Sequence, residues 1–152
     1  MKPERLLLGL LLLASVLVST SLSAESKYHA WQKEADRVYE NGDYPQAYKQ
    51  YLKLAKKGDS FSQYRVSYMN LQGQGVKSPD VVEAFAWSVL AAQNGHTEMI
   101  KYRKAVAAMV PEKKQRKAER KVDYYLRRWG NVAIAQDALV GARKQTRDCT
   151  GS

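Results

Sequence analysis

From Tyr28 to Glu40 the apolar residues Trp31, Ala35, Val38 and Tyr39 recur at steps of four, three and one, which lines them along one side of a helix. Asn41-Gly42 ends that pattern, and Asp43 then offers a side-chain oxygen to cap a second helix. Gln46, three positions on, is placed to answer as in a capping box, and Pro45 falls in the first turn, where its missing N–H costs little. The second helix carries Ala47, Tyr48, Tyr51, Leu54 and Ala55 and ends at Gly58. So short a turn predicts antiparallel neighbours. A third helix from Ser60 has Tyr64, Tyr68 and Leu71 on one side and runs into Gly73-Gln74-Gly75-Val76. Asp80 and Glu83 repeat the capping box. The fourth helix holds Ala84, Phe85, Trp87, Val89, Leu90, Ala91 and Ala92, apolar nearly all round and hence expected to be buried on more than one side, and Gly95 closes it. A fifth helix is expected from Thr97 to about Met109 and a sixth from Pro111 to Trp129, the latter striped by Ala118, Val122, Tyr125, Leu126 and Trp129. The stretch from Asn131 to about Lys144 reads as a short seventh helix.

The second and fourth helices are copies. Asp43-x-x-Gln46-Ala47-Tyr48 closing on Ala55-Lys56-Lys57-Gly58 returns as Asp80-x-x-Glu83-Ala84-Phe85 closing on Ala92-Gln93-Asn94-Gly95, each matched pair 37 residues apart. A fixed period of roughly 20 to 50 residues marks a solenoid, in which one supersecondary unit is copied because none buries its apolar face alone. A third copy is absent, since Ala84 and Gly95 would be answered by Lys121 and Val132. The array is therefore short, and the fifth and sixth helices read as its atypical closing hairpin.

Ala84-Phe85-x-Trp87 with Ala91-Ala92-x-x-Gly95, preceded by Gly73-x-Gly75-Val76 and Asp80, resembles the Sel-one-like repeat family, a relative of the tetratricopeptide repeats. The segment from Pro111 to Trp129 is similar to the helix that closes such arrays, and the likeness covers roughly Tyr39 to Trp129. The third helix departs from the family pattern, with Ser62 where alanine is usual, Ser67 where glycine is and Asn70 where tyrosine is common. The resemblance implies an all-α fold, a short right-handed solenoid of antiparallel hairpins that binds other proteins within envelope or signalling assemblies. Members share a scaffold and no reaction, so the family names no partner.

The first 24 residues change the expected compartment. A weakly basic start, Met1 to Arg5, leads into an apolar run from Leu6 to Val18 and a small, polar end at Ser19 to Ala24. That is the layout of a secretory signal peptide, with cleavage placed near Ala24. An uncleaved anchor is the alternative, although the run is short of the roughly 20 apolar residues that span a bilayer. The chain then divides into a leader at 1–24, a helical-repeat domain at 25–130 and a tail at 131–152, with a periplasmic or secreted destination expected. Cys149 is the single cysteine and reads as a free thiol or an intermolecular bridge.

The net charge of +10 is uneven. Residues 25–100 balance nine Lys/Arg against nine Asp/Glu, whereas residues 101–152 hold fourteen against five. On the sixth helix Lys113, Arg116, Lys117, Arg120, Arg127 and Arg128 cover the polar side, and Lys114 and Lys121 lie nearer its flank. Lys113 and Lys114 sit at the helix start, where positive charge is unfavourable by about 0.3 to 1 kcal/mol, so helix stability does not account for them. Two readings follow: a solvated face, or an anion-binding face of Lys113, Lys114, Lys117, Arg120, Lys121 and Arg128 for an anionic polymer or a membrane surface. Export argues against nucleic acid as the partner.

Catalytic chemistry finds little purchase. His29 and His96 stand far apart without companions, and Gly73-Gln74-Gly75 follows a helix and lacks the lysine of a phosphate loop. No reaction, metal or cofactor is expected. The aromatic side chains Tyr64 and Tyr68, one turn apart, with Trp87 on the next helix, are the expected partner-binding residues, since tyrosine and tryptophan join apolar area to a polar tip. The chain is thus expected to act as an exported protein–protein adaptor, the basic helix supplying the alternative.

Overall fold

Each helix of the structure, a computed structural model that describes residues 28–133, begins or ends where a short polar signal sits in the sequence. The expected leader at 1–24, nearly all of the expected seventh helix, and Cys149 lie outside the described residues. The described residues contain helices and no strand. In order they are α1 (residues 28–40), α2 (Tyr44–Ala55), α3 (Ser60–Gln72), α4 (Val81–Ala91), α5 (Thr97–Ala108) and α6 (Gln115–Trp129). Three-residue 3-10 turns precede α5 at Ala92–Asn94 and α6 at Glu112–Lys114. None of these helices is long and apolar enough to cross a membrane.

The chain divides into two units after Glu34. Of the first, the described residues 28–34 are helical; there the Tyr28 and Trp31 rings meet edge-on at 5.7 Å, and Trp31, expected on the apolar stripe, is 43% exposed. The second unit begins at Ala35 and holds all that follows.

In that unit the 37-residue spacing extends beyond the two capped copies. The starts of α2 and α4 differ by 81 − 44 = 37, and those of α3 and α5 by 97 − 60 = 37. Aspartates open three of these helices: Asp43 Oδ1 accepts from Gln46 N at 3.2 Å, Asp59 Oδ2 from Ser62 N at 2.7 Å, and Asp80 Oδ1 from Val82 N and Glu83 N at 2.9 and 3.1 Å. Only the forward arm of the expected capping box is used. The backbone N–H groups of Asp43 and Asp80 donate to the carbonyls of Val38 and Asn70 instead, so Glu83 is released for other work. His96 occupies the cap position of α5 without a side-chain cap bond. Replacing Asp80 by alanine leaves two N–H groups without their acceptor and is expected to lower stability by about 1 kcal/mol, read as a shift in the urea midpoint at constant slope.

Helix α4 is the centre, packed against α3, α5 and α6. It earns that place by being apolar on every side: Val82, Ala84, Ala86, Trp87, Leu90 and Ala91 are all buried, and the alanines admit close neighbours. The main core joins Ala86, Trp87 and Leu90 to Ala35, Val38, Ala47, Tyr51, Val66 and Met69, with Tyr125 from α6. A smaller cluster of Val82, Val110 and Ala118 pins the turn before α6.

The three polar residues by which α3 departs from the Sel-one-like pattern are buried, along with Gln63. Ser67 Oγ donates to the Ala84 carbonyl at 2.6 Å, which ties α3 to α4. Asn70 Nδ2 donates to Tyr48 Oη at 3.1 Å and to the Val66 carbonyl at 2.8 Å, and Gln63 Nε2 donates to the Ala55 carbonyl at the end of α2. These bonds give Gln63, Ser67 and Asn70 the partners their burial demands, whereas Ser62 Oγ is buried without a hydrogen-bond partner among the described residues. The loop after α3 lies over the start of α2, where Gly75 at φ +70° faces the Tyr44 carbonyl and Tyr39 Oη donates to Gln74 Oε1 at 2.9 Å.

Candidate functional site

A groove of about 480 Å³ opens between α3 and α5. Phe61 and Tyr64 come from α3, one turn apart, and Met99, Tyr102 and Ala105 come from α5 at steps of three, so each helix turns one apolar edge into it. Tyr64 and Tyr102 meet edge-on across the groove with ring centroids 4.7 Å apart. Phe61 and Tyr68 flank Tyr64 at 6.4 and 6.5 Å, which makes a continuous run of rings along α3. The rim carries Glu98 and Lys101, paired at 2.9 Å and well exposed, an ion pair that adds little to stability.

The floor of the groove is polar where it meets the core. Because the Ser67 hydroxyl proton goes to the Ala84 carbonyl, the contact at 3.2 Å between Ser67 Oγ and Tyr102 Oη is a bond donated by Tyr102. Burial raises the Tyr102 phenol above its usual value, and the neighbouring Tyr64 and Tyr68 add to it. Tyr102 is thus a neutral donor at physiological pH, and its ring is held in place from below. Such a lining offers apolar area, ring faces and edges; it contains no base beside a nucleophile.

The residues expected at a partner surface separate in space. Tyr64 and Tyr68 are half-buried on the groove side of α3. Trp87 does not join them, being 1% exposed in the core, with its ring stacked on Trp129 at 5.2 Å and its Nε1 donating to Glu83 Oε1 at 3.0 Å. A residue with no area in solvent has none to offer a partner. Its place in the groove is taken by Tyr102, Phe61 and Met99, which lie at three-residue steps within their helices; that spacing was the available signal.

The basic helix sorts in the same way. Lys113, Lys114, Lys117, Arg120 and Arg128 are exposed, as are Arg116 and Arg127. Lys121 leaves the anion-binding set: it is drawn inward to Glu83 Oε2 and carries its charge to an internal pair. Glu83 also accepts from Tyr125 Oη, so one carboxylate from α4 gathers three donors, two of them from α6. A second polar clasp is Arg65, whose guanidinium lies 5.2 Å from the Tyr39 ring and 5.1 Å from Phe61, and 3.8 Å from Asp36 Oδ1. Both clasps bind helices to one another. Among the described residues no three His, Cys, Asp or Glu side chains come together as a metal site.

Comparison with family models, with curated proteins and with solved structures finds no match to this chain.

Proposed function

We propose that this chain is an exported helical-repeat adaptor, a short right-handed solenoid of the Sel-one-like, tetratricopeptide-related kind, that seats a segment of another envelope or secreted protein between α3 and α5. The observation that carries the reading is the groove itself. Phe61, Tyr64, Met99 and Tyr102 line it, on the two helices whose starts repeat at the 37-residue spacing. Support for the repeat comes from that spacing and from the matching aspartate caps of α2 and α4. Support for export comes from the layout of residues 1–24.

A partner of this groove presents an apolar or aromatic side chain that inserts beside Tyr64, with backbone or polar atoms reaching the tyrosine hydroxyls. Rings and a methionine suit such a segment, since they give large contact area at low conformational cost. No catalysis is assigned. The double variant Tyr64→Ala, Tyr68→Ala is expected to lower recovery of the cross-linked partner from intact cells by about tenfold or more, the loss of a pair of interface anchors. Unchanged recovery, with helix content and melting temperature preserved by circular dichroism, overturns this groove as the binding site.

A further inference from the structure

We propose that the outer face of α6 is a peripheral membrane-binding surface, which lays its cations on the phosphate headgroups of an anionic bilayer. It is separate from the groove between α3 and α5 and stands whether or not that groove binds a protein.

The first observation is the fate of the charges. Along α6 and its entry, Lys113, Lys114, Arg116, Lys117, Arg120 and Arg128 are exposed and make no ion pair with the described residues. Lys121, which is drawn to Glu83, and Arg127, 2.6 Å from Asp123, are the cations of the helix that do pair. The opposite face of the helix is occupied, because Ala118 and Tyr125 are buried and Val122, Leu126 and Trp129 pack on the core. The cations therefore form an outward row on a helix that cannot turn over. At about 1.5 Å per residue, Lys113 to Arg128 span roughly 22 Å, long enough to meet several headgroups at once.

The second observation is where exposed apolar side chains occur. Among the described residues from Ala35 onward, the exposed large hydrophobic ones are Met109, Tyr124 and Val132. Met109 stands just before the turn into α6, Val132 just after its end, and Tyr124, 53% exposed, lies on the helix between Arg120 and Arg128 at steps of four. A row of cations with an aromatic in its middle and apolar residues at its ends is the composition of interfacial surfaces, where the ring settles at headgroup level and the cations meet phosphate. A soluble polyanion would use the cations and gain nothing from Met109 or Val132. The charge excess of residues 101–152 is complementary to anionic lipid and to the negative potential of such a leaflet.

The test reads the face directly. The full chain is treated with a lysine-acetylating reagent in buffer, with phosphatidylcholine vesicles, and with vesicles containing about a third phosphatidylglycerol, and each lysine is quantified by mass spectrometry. Anionic vesicles are expected to slow acetylation of Lys113, Lys114 and Lys117 several-fold, to spare Lys49 and Lys53 on α2, and to lose this effect in high salt, where screening shortens to about 3 Å at 1 M. Reading single lysines keeps any anchoring by residues 6–18 out of the result. Lys117→Glu, Arg120→Glu, Arg128→Glu is expected to weaken binding to anionic vesicles by at least about a hundredfold, since each cation near a charged leaflet contributes about fivefold. Equal acetylation with neutral and anionic vesicles, or protection that persists in the charge-reversed chain, overturns the proposal. Protection by soluble polyphosphate equal to that by vesicles and unchanged by Tyr124→Ala also overturns it, and assigns the row to a linear polyanion.

Discussion

Gly75→Ala is expected to cost this protein about 2 to 6 kcal/mol, combining about 1 to 3 for a left-handed backbone at a residue with a side chain and about 1 to 3 for overpacking. The position holds φ at +70°, and an added methyl would lie 2.3 Å from the Tyr44 carbonyl oxygen and 2.9 Å from Tyr48 Cβ. Neither neighbour can withdraw easily, since one is backbone in the first turn of α2 and the other is the root of a packed side chain. Gly42 supplies the control. It has a similar φ of +81° with nothing within 4 Å of the added carbon, so Gly42→Ala carries the backbone strain alone. Thermal melts of the two variants isolate the contact: Gly75→Ala should melt lower than Gly42→Ala by several degrees, at about 4 °C or more for each kcal/mol in a domain of this size. Equal melting temperatures would mean that the loop after α3 does not rest on α2.

The contrast between those two glycines also shows what a sequence can carry. Both read as turn residues, and both are, because a positive φ is a local demand met by a local choice. Helix starts are legible for the same reason: an aspartate caps an N–H two or three residues away, and Asp43 and Asp80 announce α2 and α4 without reference to anything distant. The burial of α4 on several sides was likewise written in its alanines. The burial of Trp87 follows from that, since a tryptophan on a helix buried all round has no outward side, yet in the sequence its size and ring mark it equally as an interface residue.

Distance in sequence is what hides the rest. Glu83 meets Lys121 and Tyr125 across 38 and 42 residues, so its spacing from Asp80 suggested a cap and nothing in its surroundings named α6. The groove is hidden in another manner, because Tyr102 belongs to a helix outside the visible repeat. Its role appears only when α3 and α5 are placed on α4 together. The buried Ser67 and Asn70 have a similar lesson. As departures from a family pattern they name no partner, whereas their hydrogen bonds to Ala84, Tyr48 and Val66 make them fasteners between and within the helices.

Glu83→Ala is expected to lower stability by about 3 to 5 kcal/mol, the usual cost of removing one partner from a buried pair. The carboxylate side chain is 17% exposed and Lys121 28%, so solvent can compensate only in part. Trp87 Nε1 and Tyr125 Oη lose their acceptor in the same step, and an unsatisfied buried donor costs about 1 to 3 kcal/mol. Glu83→Gln keeps an acceptor and removes the charge, and it should fall between Glu83→Ala and the natural chain in urea denaturation. The alkaline limb separates charge from packing. Burial first, then the hydrogen bond to Glu83 and the field of its carboxylate, raise the Tyr125 phenol above its ordinary value of 10.0. A group whose folded pKa is raised contributes its full stabilisation below the unfolded value, and loses it as pH climbs from about 10 toward the folded value. Stability should therefore decline above pH 10 in the natural chain. Tyr51, raised by burial and by Asp36, adds the same slope in both proteins, so it cancels in the comparison. Without the carboxylate, Tyr125 ionises at lower pH, its folded and unfolded values draw together, and Glu83→Gln should show a shallower decline between pH 10 and 12. An unchanged slope would mean that Glu83 holds Tyr125 by shape alone, and that the link from α4 to α6 is not electrostatic.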